Sequence, residues 1–227
     1  MTRYAIGDVH GCADALDALL TALAPTSSDR LVFLGDLVDR GPKSVAVVER
    51  VMDLMGRLPV VLVIGNHEEM MLRAREGTLD VHTWVACGGA QTMIDYERNG
   101  SSVFEAHCRF FLEEGRRAFE DDTHLYVHGT IDPDRSLDDT PGDTLRWRRF
   151  GPPRPHMSGK SVVAGHTPQK SGWPLFVERA ACIDTWCCGG QWLTALDLDA
   201  GRYVQAHEDG SVRIFDVDGR PLARARE

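Results

Sequence analysis

The 227-residue sequence contains no apolar run near the roughly 18 residues that a membrane-spanning helix needs, which argues against an integral membrane protein. It also lacks an excess of positive charge. Twenty-five Lys and Arg stand against 34 Asp and Glu, a formal balance of −9. That argues against holding duplex nucleic acid by phosphate neutralisation. It does not exclude phosphorylated substrates, because a bound metal inverts the local field. The six cysteines (12, 87, 108, 182, 187 and 188) form no C-x-x-C pair and no zinc-ribbon spacing. Reduced thiols in a cytoplasmic chain are expected, with Cys187-Cys188 free rather than bridged. Six residues precede Gly7, too few for a signal peptide ahead of the first motif. There is no C-x5-R loop, no G-x4-G-K-[ST] and no G-x-S-x-G. A cysteine-dependent tyrosine phosphatase, a P-loop nucleotidase and the α/β-hydrolase elbow are thereby disfavoured. No repeat or low-complexity segment is present.

Apolar residues make up 43 % and charged residues 26 %, which suits one globular domain over 1–227. The first 65 residues read strand, helix, strand, helix, strand. Strands are expected at 3–6, 30–34 and 60–64. Cys12, Leu16, Leu19, Leu20 and Leu23 give the first helix period, and Val47, Val48, Val51, Leu54, Met55 and Leu58 the second. That order favours an α/β layer with parallel strands. Residues 68–122 read as a helical excursion broken at Gly88-Gly89 and Asn99-Gly100. Strands resume at 124–128 and 161–164, with a surface loop at Pro152-Pro153-Arg154-Pro155. Short strands then follow at about 176–184, 192–198, 202–207 and 211–217. This last group is expected to form a second, largely antiparallel sheet.

Five motifs stand at strand ends: Gly7-Asp8-Val9-His10-Gly11, Gly35-Asp36-Leu37-Val38-Asp39-Arg40-Gly41, Gly65-Asn66-His67-Glu68, His128-Gly129 and Gly165-His166-Thr167. The carboxyl ends of strands are where open α/β sheets bind ligands. Asp, His and an Asn carbonyl make a mixed N/O donor set that suits Mn²⁺, Fe²⁺, Zn²⁺ or Mg²⁺. Asp8, His10, Asp36, Asn66, His128 and His166 are too many ligands for one small cation. Asp36 has two oxygens with which to bridge two. Singly, a D-x-H or a His before Gly is usually structural, and Asn-His-Glu after a strand could be an ordinary helix start. Five such motifs in order are not explained that way. His82, His107, His124, His156 and His207 have no motif around them and are expected to be structural or at the surface. Trp84 is expected either in the core or at a substrate rim.

These motifs resemble the metallophosphoesterases of the PPP phosphoprotein phosphatase superfamily, over residues 4 to about 198. The resemblance is greatest to the small bacterial and phage-type Ser/Thr protein phosphatases. Diadenosine tetraphosphate hydrolases are near relatives. It implies a calcineurin-like α/β fold of two packed mixed sheets flanked by helices, four layers in all. It implies two divalent ions, Mn²⁺ foremost, with Asp8, His10 and Asp36 on the first and Asp36, Asn66, His128 and His166 on the second. It implies His67 as general acid, oriented by Asp39, and Arg40 as a phosphate ligand. The W-x-R pattern points to Arg149 as the second, with Arg148 the competing choice. The implied reaction is phosphomonoester hydrolysis on a phosphoprotein or small phosphorylated substrate. A hydroxide held between the ions attacks in line. The alternative is hydrolysis of diadenosine tetraphosphate or related dinucleoside polyphosphates. A non-catalytic phosphate-binding scaffold would have no need of His67. The stretch Trp186-Cys187-Cys188 after Ile183-Asp184-Thr185 departs from the family pattern near the expected rim, which bears on substrate and not on chemistry.

Overall fold

The computed structural model describes residues 1–151 and 154–222. The first half alternates as the apolar periodicity requires. β1 (Arg3–Ile6) leads to α1 (Ala13–Leu23), then β2 (Arg30–Phe33), α2 (Ser44–Met55) and β3 (Val60–Val63). α1 buries Ala15, Leu16 and Leu19. It ends where Ala24 turns left-handed ahead of Pro25. α2 buries Val47, Val48, Val51 and Leu54 on one stripe. β1, β2 and β3 pair in parallel, with Tyr4 opposite Leu31 and Leu31 opposite Val60.

The excursion is helical as far as Glu114. It comprises α3 (Asn66–Arg75), α4 (Val81–Trp84), a π turn at Val85–Gly89, α5 (Ala90–Asn99) and α6 (Ser101–Glu114). Gly88, at φ 117°, makes the kink within the π turn. The end expected at 122 falls earlier. β4 (Gly115–Arg116) already closes the edge of the first sheet and β5 (Phe119–Glu120) that of the second. Two-residue strands are too short to show a period. β6 (His124–Val127), α7 (Gly142–Arg146) and β7 (Ser161–Ala164) follow. Pro152 and Pro153 of the expected loop lie outside the described residues.

Two expectations for the last third are corrected. The strand expected over 176–184 is a hairpin of β8 (Leu175–Val177) and β9 (Ala180–Cys182). It turns where Glu178 takes a positive φ of 27°. The meander β10 (Leu193–Asp197), β11 (Arg202–Ala206) and β12 (Val212–Asp216) does not build the second sheet. β10 pairs antiparallel with β1, so the first sheet runs β12-β11-β10-β1-β2-β3-β4. The second runs β5-β6-β7-β9-β8, and its central pairs β6–β7 and β7–β9 are parallel.

Strand alternation sorts the core into three layers of contact. Ile6, Leu31, Phe33 and Leu62 face the helices with Leu16, Val48, Met71 and Phe111. Ala5, Val32, Val63 and Leu196 point the other way, against Tyr126, Val163 and Ala181 of the second sheet. Leu125, Val127, Val162 and Ala164 form that sheet's outer face, covered by Leu145 of α7 and Phe150. Helices, sheet, sheet and α7 make the four layers. Among the described residues, no helix is long and apolar enough to cross a membrane.

Candidate active site

The five motifs converge where β1, β2, β3, β6 and β7 end, and Asp184 joins them just beyond β9. The loops that carry them are unusually bent. His10, Asp36, Asp39, Arg40 and His166 all have positive φ, from 48° to 72°. A non-glycine residue is rarely held in this left-handed region unless its surroundings over-determine it. The glycines beside them permit the close approach. A Cβ on Gly65 would stand 2.1 Å from Asp36 Oδ1, and one on Gly165 2.2 Å from Asp8 Oδ1.

Asp36 is 1 % exposed and lies between two clusters. On one side His10 Nε2 is 3.4 Å and His67 Nε2 3.9 Å from its Oδ2. On the other, His128 Nε2 is 3.3 Å from Oδ1, and His166 completes the group. Backbone carbonyls fix the rings. His10 Nδ1 lies 2.8 Å from Val38 O and His128 Nδ1 2.7 Å from Leu34 O. Donation there turns each Nε2 inward. Likewise His166 Nε2 lies 3.0 Å from Trp147 O, and donation there leaves its Nδ1 lone pair facing Asn66 Oδ1 at 2.9 Å. His128 Nε2 reaches the same oxygen at 3.0 Å. Lone pairs of two imidazoles, an amide oxygen and a carboxylate thus converge, an arrangement that a proton or a cation reconciles.

The charges point the same way. Burial, with Asp184 nearby, pushes the Asp8 carboxyl well up. Burial raises Asp184 to about 6 and, with Asp36, raises Glu68. For Asp36, burial is outweighed by His128 and His67, which hold it below the usual carboxylate range. Burial would lower His128, yet Asp36 outweighs it and holds the ring protonated up to about 10. Burial pushes His10 well down, and burial with His128 pushes His166 down to about 4. The protein alone therefore draws a proton into a pocket of buried carboxyls. The donor set fits divalent cations in that place.

Asp8 lies outside the two tight clusters. Its carboxylate accepts from the His166 amide at 3.0 and 3.1 Å. His67 Nδ1 meets Asp39 Oδ2 at 2.7 Å, so its Nε2 faces the pocket. Arg40 Nη1 donates to His10 Nε2 at 2.5 Å. Arg149 and Arg148 both lie exposed on the segment after α7, and no contact joins either guanidinium to the cluster among the described residues.

Three supporting residues have no ligand or acid role in the motif reading. Glu68, fully buried, accepts four amide hydrogens, from Gly65, Asp36, Leu37 and Val38, at 2.7–3.3 Å. It pins the Asp36 loop to the start of α3. Its signal is the Glu three residues after a helix start, which reads equally as a cap. Trp84 is buried, and its indole donates to Asp39 Oδ2 at 2.8 Å. It is therefore a core residue that also holds the site, rather than part of a rim. Asp184 is 2 % exposed, and the Ile183-Asp184-Thr185 stretch marked it only as the flank of the departure at Trp186. Of the histidines without a motif, His107 and His156 are buried and hydrogen-bonded to Tyr96 Oη and Arg135 O. Cys187 and Cys188 are free thiols.

The family model of calcineurin-like phosphoesterases matches residues 1–209. The chain is 31 % identical to the asymmetrical bis(5'-nucleosyl)-tetraphosphatase PrpE of Geobacillus thermodenitrificans, over 84 % of this chain and 88 % of that protein. It is 48 % identical to the symmetrical bis(5'-nucleosyl)-tetraphosphatase of Dechloromonas aromatica over 79 residues, 34 % of this chain and 28 % of that one. It spans less than half the length of the symmetrical enzymes it matches. Among solved structures, one provisionally named a diadenosine tetraphosphatase has a TM-score of 0.68 at 20 % identity, covering 99 % of this chain and 95 % of that one. A cold-active protein-tyrosine phosphatase of a Shewanella species has 0.66 at 19 %, covering 94 % and 80 %. At such identities these two likenesses concern the fold.

Proposed function

This chain belongs to the calcineurin-like phosphoesterase family, and from that premise we propose that it hydrolyses bis(5'-nucleosyl) tetraphosphates or related dinucleoside polyphosphates. The observation that carries the choice of substrate is the near full-length match to an asymmetrical tetraphosphatase. Phosphoprotein dephosphorylation, which the motifs alone favour, becomes the second reading. It is supported by the same pocket and by folds shared with protein phosphatases.

Two divalent ions held by Asp8, His10 and Asp36 and by Asp36, Asn66, His128 and His166, with Mn²⁺ the expected metal, would supply Lewis acidity toward water and phosphoryl oxygens. The chain's own residues do the rest. Arg40 offers a planar fork to a phosphoryl group, and Arg149 on the exposed segment offers a second across the rim. Asp39 and Trp84 fix the His67 ring, so that Nε2 carries the proton toward the leaving oxygen. Glu68 and the left-handed loops hold these groups in place before substrate arrives. A nucleotide leaving group is stable as an anion, so it needs that proton less than a serine alkoxide does.

The test is product analysis with diadenosine tetraphosphate and Mn²⁺. Two ADP show cleavage of the central phosphoanhydride, and ATP with AMP cleavage of an outer one. Either outcome supports the reading, and an intact dinucleotide beside rapid phosphopeptide hydrolysis overturns it.

A further inference from the structure

Behind the first motif loop lies a group of side chains that the phosphoesterase chemistry does not use. Cys12 caps the start of α1, two residues after His10. Cys187 opens the 3-10 turn at Cys187–Gly189, three residues after Asp184. Glu208 sits in the tight turn between β11 and β12, where the His207 amide reaches Ser211 O. The chain brings these three together from distant parts of the sequence. One ligand atom from each lies within 4.8 Å of the other two. Both thiols are 3 % exposed.

The polar accounting of this group is incomplete. Cys12 Sγ lies 3.6 Å from His10 O and interacts at hydrogen-bonding range with the side chains of Cys187 and Glu208, so the three groups share one polar contact. Glu208 Oε1 is buried with no hydrogen-bond partner. Buried polar oxygens are rarely left so, and each one asks for an explanation. A disulfide between Cys12 and Cys187 would consume the thiols and leave that oxygen orphaned. A cation satisfies all three groups at once. Two sulfurs and a carboxylate select a borderline-soft ion with no geometric preference of its own, unlike the N/O pocket above them. Tetrahedral zinc, with sulfur at about 2.3 Å, needs ligand atoms about 3.8 Å apart, which is compatible with atoms that all lie within 4.8 Å of one another.

We propose that Cys12, Cys187 and Glu208 form a separate thiolate site for zinc. Binding displaces two thiol protons to solvent and leaves two thiolates, one carboxylate and one dication, at net −1. No electron is transferred. Three protein ligands leave a fourth position for water. The site ties the loop of Asp8 and His10 to the Asp184–Trp186 segment and to the β11–β12 turn. It is a fastening of the rim rather than a part of the reaction.

The test is optical and independent of turnover. Metal-stripped protein is titrated with Co²⁺, which gives sulfur-to-cobalt charge-transfer absorption only where thiolates bind. The pocket of Asp36 has nitrogen and oxygen ligands and contributes none. Once every site is filled, the wild type should show the band at the intensity of one thiolate-bound Co²⁺ per chain, and Zn²⁺ should bleach it. C12S and C187S should lose it, C188S should keep it, and E208Q should weaken binding by about tenfold or more. Circular dichroism checks that each variant is folded. Should C12S fail to fold, C187S and E208Q decide the matter. A wild type without the band, a band unchanged in C187S, or a Cys12–Cys187 disulfide in peptides mapped without reduction overturns the proposal.

Discussion

On the side of the site that the first sheet supplies, three amides of the Asp36 loop and that of Gly65 donate to one buried carboxylate, Glu68, and His67 is gripped through Asp39 by Trp84. On the side that the second sheet supplies, His166 leans on the carbonyl of Trp147, itself 37 % exposed, and the arginines that follow are exposed. The first-sheet side is fixed from within; on the second-sheet side His128 is equally buried and held by Leu34 O, and only the rim at 147–149 opens to solvent. Positioning reacting groups to a fraction of an ångström demands the first arrangement, and selecting among phosphorylated substrates is done by the second.

That division can be broken by substitution. The largest effect is expected at the shared carboxylate. Asp36→Asn should remove both ions and cost several kcal/mol of transition-state stabilisation, about 10³-fold in kcat. Elemental analysis that still finds two ions per chain would count against a bridging role. Next, His67→Ala should lower kcat on an alkyl phosphate by on the order of 10²–10⁴. The loss should be clearly smaller on p-nitrophenyl phosphate and on diadenosine tetraphosphate, whose leaving groups need less protonation. Equal losses on all three would remove the proton from the account.

Glu68→Gln tests the clamp itself. The amide has one accepting oxygen where the carboxylate has two, so amide hydrogens of the loop lose partners at about 1–3 kcal/mol. Both Tm and kcat should fall. An unchanged Tm would show that the loop is held by other means. At the open rim, Arg149→Ala should raise KM about tenfold, roughly the loss of one charge-assisted hydrogen bond, with Tm unchanged. Arg148→Ala is its control, and the larger KM change in that control would reassign the role.

The smallest effect lies outside both halves. His107 is buried on α6 beside Tyr96, and burial pushes it down to about 4. Below its ordinary value near 6.5 the unfolded chain takes up a proton that the folded chain refuses. Stability contributed here is complete above that value and declines as pH falls toward 4. His107→Gln should flatten this part of the pH–Tm curve, and an undiminished slope would place its origin elsewhere.

The same contrast explains what the sequence shows. The parallel strands were legible because Leu31–Phe33 and Val60–Val63 are short apolar runs followed by motif residues, and the helical stripes of α1 and α2 repeat cleanly. The pairing of β10 with β1 was not, since alternation says which face is buried and not which neighbour is chosen. The β8–β9 turn was hidden because Glu178 takes a left-handed conformation that usually marks glycine. Asp8, Asp36, Asn66, His67, His128 and His166 could be grouped because each follows a strand. Glu68 and Trp84 act through hydrogen bonds to those residues, and such bonds leave no spacing to read. Trp147, Arg148 and Arg149 are exposed, and their residue types fit a phosphopeptide as well as a nucleotide, so the sequence by itself leaves the substrate open.

The most direct test is a competition. Protein stripped and reloaded with Mn²⁺ is given diadenosine tetraphosphate, a phospho-Ser/Thr peptide and a phospho-Tyr peptide together, and products are followed by mass spectrometry. The account predicts that the dinucleotide is consumed first, with loss of that activity in Asp36→Asn. Faster dephosphorylation of either peptide, with the dinucleotide left over, would contradict it.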